Sequence, residues 1–488
     1  MNAILEAKIV ENRPTGTRRN FGAKVLSGAA SLSASQVVRR VFRTFFLLLA
    51  ARLLGPEVFG LYVLLLTVTE IVALVSGAGF GDYLTREVAK APERAYRLLS
   101  RITRLRLVYL LILAAIVIPT LGLLKYSPSV LVNAALLSLT LLPRAVAESS
   151  QGIMRAMHRF GTVFWIELLQ GAVLLGTGAL FLFEGRGLRG IIWAEISSVL
   201  LGAAVALPIA LRLSPDRGRD ESGWRQQIRE TFAFNLYPLI ANAYDRVDVV
   251  LLSKLVGNTA VGIYGLPYRA FTALSIVPYG IMGALLPSLA KSTWNQDERE
   301  RCGITMQLLY AVALFLILGA MLMANVAVQF VLGPGYQASA TVLKILAWAT
   351  VPAFLNFTLN TMLLAKNQER VFLRTASVCT VVNISANLLL IPRYSYIAAA
   401  AVTILTELVL LGQNLALARK CLGYVPLPKR ALRNSLAFAA IFIVVHEGSR
   451  FLPALAVAAA ALAIFAVYLY AANRILWPAG REDTVCAT

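Results

Sequence analysis

Long apolar runs alternate with short polar connections from residue 27 to residue 472. An apolar run of about 20 residues is the length that crosses the hydrocarbon layer as a helix. The pattern predicts 14 spans, at 27–51, 58–80, 107–124, 129–150, 162–183, 190–211, 231–253, 260–288, 304–330, 341–365, 375–391, 396–418, 435–446 and 452–472. The fold class read from this pattern is an all-α polytopic membrane protein with no room for a soluble domain. The thirteenth run is weak, interrupted near His446 and Glu447, and is equally compatible with a re-entrant hairpin. The polar, basic residues 1–26 precede a first run that carries Arg39, Arg40 and Arg43. A cleaved signal peptide has a shorter core without charge, so an uncleaved first span is expected.

One motif occurs twice. Residues 52–62, Arg-Leu-Leu-Gly-Pro-Glu-Val-Phe-Gly-Leu-Tyr, return 202 positions later as Lys-Leu-Val-Gly-Asn-Thr-Ala-Val-Gly-Ile-Tyr at 254–264. Gly55, Gly60 and Tyr62 recur as Gly257, Gly262 and Tyr264. Both copies connect one apolar run to the next, the mark of a chain built from two related halves, as many membrane transporters are. The expected organisation is a tail at 1–26, an N-lobe of spans 1–6 at 27–211 and a polar linker at 212–230. A C-lobe of spans 7–12 at 231–418 follows, then a linker with spans 13 and 14 at 419–472 and a tail at 473–488. Six spans is an even number, so the second half enters in the same orientation as the first. The lobes are then parallel repeats about a pseudo-twofold axis along the membrane normal.

Composition sharpens this picture. The chain is 58% hydrophobic and only 15% charged, against about half apolar and a quarter charged in soluble domains. A net charge of +21 would point to a polyanion if it were clustered. Instead, the tails and even-numbered connections hold 32 Lys and Arg, and the odd-numbered connections hold 7. Such asymmetry in short loops marks the cytoplasmic side. Both termini are expected in the cytoplasm, and no nucleic-acid partner is expected. Cys302, Cys379, Cys421 and Cys486 have no paired spacing, and His158 and His446 have no ligand neighbours. Neither a metal nor a cofactor is implied. There is no glycine-rich phosphate loop ending in Lys-Ser/Thr. The external connections, such as 331–340, are too short to carry acid–base machinery, so an enzyme is not expected.

The candidate chemistry lies in charges within the spans, which are costly in hydrocarbon, by about 2.5–3.5 kcal/mol each at a helix centre, and therefore turn inward. Arg144 and Glu148 stand four residues apart and are expected to pair. In the first span, Arg39, Arg40 and Arg43 crowd into little more than one turn with no acid in that span. They need a counter-charge from elsewhere: a bound phosphate, which guanidinium forks fit in two-point geometry, carboxylates of other spans, or lipid head groups reached by snorkelling. The seventh span carries Asn242, Asp245, Arg246 and Asp248, and at the repeat offset Asp245 stands where Arg43 does. This sign reversal makes Asp245, Asp248 and Asn242 candidates for a polar gate or for ion coupling. Arg246 and Arg269 join the three first-span arginines as candidate contacts for an anionic substrate.

Several stretches resemble bacterial oligosaccharide flippases. They are Ser35-Gln-Val-Val-Arg through Tyr62, Gly79-Phe-Gly-Asp-Tyr-Leu-Thr-Arg-Glu-Val88, Leu363-Leu-Ala-Lys-Asn-Gln-Glu-Arg370, and Val382-Asn-Ile-Ser-Ala-Asn-Leu-Leu-Leu-Ile-Pro-Arg393. The resemblance covers residues 25–420 and places the chain beside the polysaccharide-biosynthesis exporters of the multidrug/oligosaccharidyl-lipid/polysaccharide superfamily. It implies two six-helix lobes about a central, often cationic cavity, worked by alternating access. The implied cargo is an oligosaccharide linked through pyrophosphate to undecaprenol, crossing the bacterial inner membrane for O-antigen or exopolysaccharide synthesis. Membrane lipids are implied partners, and a polysaccharide polymerase and glycosyltransferases are possible ones. Lipid-II flippases share the architecture without local similarity that favours them.

Two other functions compete. A cation-coupled exporter of drugs or small metabolites would share the fold but favours acidic, aromatic cavity walls. A membrane-embedded sugar-transferring enzyme would need extramembrane catalytic groups. The charge asymmetry predicts that reporter fusions after residues 96, 220 and 427 all report the cytoplasm. An external signal at 220 would overturn the two-half organisation.

Overall fold

The computed structural model describes residues 15–77, 80–214, 246–291, 296–366, 369–425, 430–448 and 454–474. Asn242 and Asp245, most of the linker at 212–230, and the extreme tails lie outside these residues. All secondary structure among the described residues is helical. The helices are α1 (Thr15–Gly77), α2 (Phe80–Lys90), α3 (Ala95–Leu123), α4 (Pro128–Ser138), α5 (Leu141–Ala156), α6 (Phe160–Phe183), α7 (Gly187–Arg212) and α8 (246–255). They continue as α9 (Asn258–Ala273), α10 (Ile276–Lys291), α11 (Gln296–Val331), α12 (Gln337–Ala365), α13 (Glu369–Leu422), α14 (Ala431–Gly448) and α15 (Ala454–Arg474).

Among the described residues nine helical segments are long and apolar enough to cross a membrane, and two shorter apolar helices follow at 431–444 and 459–468. Two of the long segments each contain two of the spans read from sequence. α1 runs through the connection at 52–57 and bends at Gly55 alone, whose φ of 74° and ψ of 170° suit only glycine. α13 runs through the connection at 392–395 and bends at Ser395, with φ 54° and ψ −136°. In each case a Pro stands within three residues of the break (Pro56, Pro392). Most of the seventh span lies outside the described residues, so the full count of 14 stays an expectation.

The chain divides into two compact units, residues 1–53 with 65–239, and residues 54–64 with 240–488. In the first unit, α2 lays Phe80, Tyr83, Leu84 and Val88 against Leu98, Leu99 and Ile102 of α3 and Ile153 of α5. Its polar face carries Asp82, Arg86 and Lys90 outward. The first half of α1 packs on α6 through rings set against bare backbone. A Cβ on Gly171 would stand 2.7 Å from the Phe42 ring, and one on Gly178 would collide with Phe46. These pairs ascend together, so the two helices run in the same direction.

In the second unit the two copies of the repeated motif meet each other. A Cβ on Gly60 would strike the carbonyl oxygen of Asn258, and one on Gly262 would strike that of Pro56. At the repeat offset Gly60 is equivalent to Gly262 and Pro56 to Asn258, so each copy makes on the other the contact it receives. Such reciprocity is what a twofold axis imposes. Val63 and Gly265, themselves equivalent positions, face each other, a Cβ added to Gly265 standing 3.1 Å from a Val63 methyl. Gly257, like Gly55, breaks the helical path with a positive φ, at φ 123° and ψ 174°. Tyr62 and Tyr264, which end the two copies, are both fully buried.

Because the obstacle at Gly60 and Gly262 is backbone, it cannot move aside as a side chain would. Gly262→Ala should cost about 1–3 kcal/mol, the usual range for overpacking. The thermal midpoint in detergent should fall, whereas Gly280→Ala, which meets open space, should leave it unchanged or raise it. Equal midpoints for the two variants would contradict the tight approach.

Candidate functional site

Two polar centres stand out, one in each unit. In the first unit, the ring-on-glycine packing of α1 against α6 fixes where the α1 arginines point. Arg39 lies 3.8 Å from Glu167 of α6, and Arg43 pairs closely with Glu195 of α7. Both carboxylates are nearly sealed, at 8% and 9% side-chain exposure, while Arg39 is 51% exposed and Arg43 26%. Arg39 also donates to Gln36, one turn earlier. Gln151 donates to Glu167. Arg40 is exposed and has no ion pair or side-chain hydrogen bond among the described residues.

A second set of charges completes this centre. Glu148 accepts from Arg144 Nε at 3.0 Å and from Arg106 Nη2 at 2.8 Å. Arg106 is buried, holding the Ala145 carbonyl at 3.1 Å and Ser149 Oγ at 3.3 Å with its other terminal nitrogen. Arg144 lies within electrostatic reach of Glu70 and Arg43 as well. Spans 1, 2, 4, 5 and 6 thus contribute charges of both signs to one network, anchored by Arg106 at the start of the third.

The second unit holds a cavity of about 300 Å³. Its wall includes Asp248, Tyr268, Phe271, Asn356, Phe357, Asn360, Asn383, Thr403, Thr406 and Glu407. Asp248 is buried, and accepts from the backbone N–H of Val249 at 2.7 Å and closely from the Tyr264 hydroxyl. The tyrosine that ends the repeated motif therefore fixes this carboxylate. Tyr264 Oη also lies 3.4 Å from Thr403 Oγ1. Glu407 accepts from Asn356 Nδ2 at 2.8 Å, and Asn356 Oδ1 accepts from Asn414 at 3.1 Å. Asn387 donates to Asn383 at 2.9 Å, which donates to Thr406 at 3.3 Å. The buried Oδ1 of Asn360, on the cavity wall, has no partner among the described residues. Among those residues no three His, Cys, Asp or Glu side chains converge as a metal cluster would.

The residues singled out from sequence are thus distributed unevenly. Arg39 and Arg43 enter interhelical ion pairs, with Arg40 beside them. Asp248 reaches the cavity of the second unit, where Arg246 is close enough for its charge to act on it. Arg269 is partly buried on α9. Asn242 and Asp245 lie outside the described residues. Sequence reasoning gave no part to Glu407, Asn356 or Asn414, which come together from α12 and α13. The i,i+4 pair Asn383 and Asn387 was a visible signal of a polar helix face. Arg106 was assigned to a connection, although it continues the buried face of Leu99 and Ile102.

Residues 25–293 match the family described as "Polysaccharide biosynthesis protein", more than half of the chain, and the protein belongs to that family. The teichuronic acid biosynthesis protein TuaB of Bacillus subtilis (strain 168) is 22% identical over 310 residues, covering 62% of each chain. Less than two thirds of that relative's length is therefore matched. The fold is similar to that of a solved structure described as the lipid II flippase MurJ, inward closed conformation, with a TM-score of 0.69 at 14% identity over 90% of this chain and 99% of that one. A multidrug resistance MATE family transporter in an inward-facing conformation also matches, with a TM-score of 0.59 at 14% identity over 85% and 98%. The protein is a multi-pass membrane protein of the transporter fold that these structures share.

The Arg43–Glu195 pair makes a direct prediction. Removing one member of a mostly buried pair costs about 3–5 kcal/mol, an upper figure here because Arg43 keeps some access to solvent. Glu195→Gln should lower the thermal midpoint, and Arg43→Gln in the same chain should restore part of the loss. Strict additivity of the two substitutions would mean that they are not coupled.

Proposed function

We propose that this protein flips an oligosaccharide linked through pyrophosphate to undecaprenol across the bacterial inner membrane, by alternating access, for polysaccharide synthesis. The observation that carries this reading is the state of the first-span arginines. Arg39 is half exposed and only loosely held by Glu167, and Arg40 beside it is exposed. Guanidinium groups so placed suit the two-point geometry of phosphate oxygens. A pyrophosphate arriving there meets Arg40, which has no ion pair to break among the described residues, and the exposed side of Arg39, so Glu167 can keep its partner. Arg43, Arg246 and Arg269 are proposed as further contacts. The family match supports the glycan pathway.

A second reading, a cation-coupled exporter of small molecules, is favoured by the cavity of the second unit. Asp248 and Glu407 are carboxylates in a wall that also carries Tyr268, Phe271 and Phe357, the acidic and aromatic character that such an exporter needs. Under the flippase reading the same cavity serves ion coupling, with Asp248 as the coupling group and Asn242 and Asp245 as associated gate residues.

Reconstituted vesicles separate the two. With undecaprenyl-pyrophosphate oligosaccharide in both leaflets, an impermeant glycosidase reaches about half of the glycan in empty vesicles, since one leaflet is exposed. Wild-type protein should make nearly all of it accessible, and the triple Arg39→Ala, Arg40→Ala, Arg43→Ala variant should not. Accessibility that stays at half with wild-type protein, together with uptake of a cationic dye that Asp248→Asn abolishes, would establish the second reading instead.

A further inference from the structure

Two helical rows wall the cavity of the second unit. α12 contributes Asn356, Phe357 and Asn360, and α13 contributes Thr403, Thr406 and Glu407. Both rows follow the three- and four-residue steps that keep side chains on one face of a helix. Thr272, near the end of α9, and Ser275 just beyond it add two more hydroxyls to the wall.

Most of the donors in this wall are already used. Thr272, Ser275, Thr403 and Thr406 turn their hydroxyl hydrogens back to carbonyls three or four residues earlier, at 2.7–3.1 Å. Asn356 gives its Nδ2 to Glu407, and Asn383 gives its own to Thr406. The acceptors are less occupied. Glu407 takes Asn356 through Oε2, and its Oε1 has no hydrogen bond among the described residues. The Asn360 side chain has none either, and its Oδ1 is buried. A buried acceptor without a donor is costly unless something supplies one. Asp248, the proposed coupling group, has its oxygens on Val249 and Tyr264 and is not one of these free acceptors.

Acceptors spread around a wall suit a ligand with donors spread around its rim. A metal ion such as calcium gathers its oxygens to about 2.3–2.6 Å, which groups distributed over three helices of a cavity this size do not do. An ammonium group offers its donors at a single point. A sugar ring carries hydroxyls around its edge, each able to donate, and C–H faces that aromatic rings cover. The wall supplies such rings in Phe271 and Phe357, the second braced edge-on by Tyr279 at 6.1 Å. The volume of about 300 Å³ stands at the lower end for ligand pockets, about 300–1,000 Å³, and suits one ring rather than a chain. We propose that this cavity is a subsite for one pyranose ring of the glycan. Glu407 Oε1 and the Asn360 amide take adjacent hydroxyls, and Phe271 and Phe357 cover the C–H face. The inference rests on the flippase reading for the source of the sugar, and its test does not.

The full chain in nanodiscs is titrated with the methyl glycosides of glucose, galactose, mannose and N-acetylglucosamine, with binding read by saturation-transfer NMR of the ring protons. At least one glycoside should bind the wild-type protein. Cyclohexanol, a ring with one hydroxyl, should bind about tenfold more weakly, because it leaves the wall's acceptors unpaired. Glu407→Gln should weaken glycoside binding about tenfold, since hydrogen bonds to a charged group are the stronger ones. Asn360→Ala, which breaks no hydrogen bond among the described residues, should weaken it about threefold without lowering the thermal midpoint. Arg419→Gln, exposed at the end of α13, should leave it unchanged. The proposal is overturned if none of the four glycosides binds, if cyclohexanol binds as tightly, or if neither cavity variant weakens binding. Protein that flips the lipid-linked cargo in vesicles yet binds no glycoside loses this subsite alone. Protein that binds glycosides through Glu407 and Asn360 yet fails in vesicles keeps the subsite and loses the flippase reading.

Discussion

Close approach of backbones at glycine is the constraint on which the rest of this structure depends. Inside a bilayer an apolar side chain gains little by leaving lipid for a neighbouring helix, so association rests on van der Waals contact and polar pairing. The chain meets that requirement with Gly60 and Gly262 against opposing carbonyls, and with Gly171 and Gly178 under the rings of Phe42 and Phe46. The charges follow from these contacts. With Phe42 seated on Gly171, Arg39 falls opposite Glu167 and Arg43 reaches Glu195. A helix displaced by one turn would bring one arginine to the other's place and leave one of the two carboxylates sealed without a cation.

The two units solve the problem of buried acid in different ways. The first balances Glu148, Glu167 and Glu195 with guanidinium groups from other helices. The second gives Glu407 the amide of Asn356 and Asp248 the hydroxyl of Tyr264. A carboxylate satisfied by neutral donors keeps its field available to a passing cation, whereas one satisfied by arginine largely cancels it. The duplication therefore yields two chemically distinct interiors from one helical plan. The tyrosine of the repeated motif shows how: Tyr264 serves Asp248, while the residue equivalent to Asp248 in the first copy is Phe46, which packs on Gly178.

Much of the helical plan was legible in the sequence because apolar length in a membrane has few structural outcomes. The repeat was legible too, and its glycines proved to be where the copies touch. The Arg144–Glu148 pair follows from helical spacing alone. The partners of Arg39 and Arg43 do not, since Glu167 and Glu195 are more than a hundred residues away and their approach is set by ring-on-glycine packing. The bends at Gly55 and Ser395 were read as connections of several residues because Gly, Pro and polar side chains cluster there, yet a single residue absorbs each turn. Glu407 was visible only as one more acid within a span, because its partner Asn356 lies on another helix and nothing local in the sequence joins them.

The reciprocal contact between the motif copies has a consequence for biogenesis. Gly60 enters the membrane when its partner, Asn258, is still about 200 residues from being made. At about 5–20 residues per second the delay is on the order of 10–40 s. Throughout that interval a helix face shaped for another backbone has only lipid or the insertion machinery beside it. The first half of the protein must therefore persist in the bilayer with a vacant seam, and synthesis of α9 is the event that closes it.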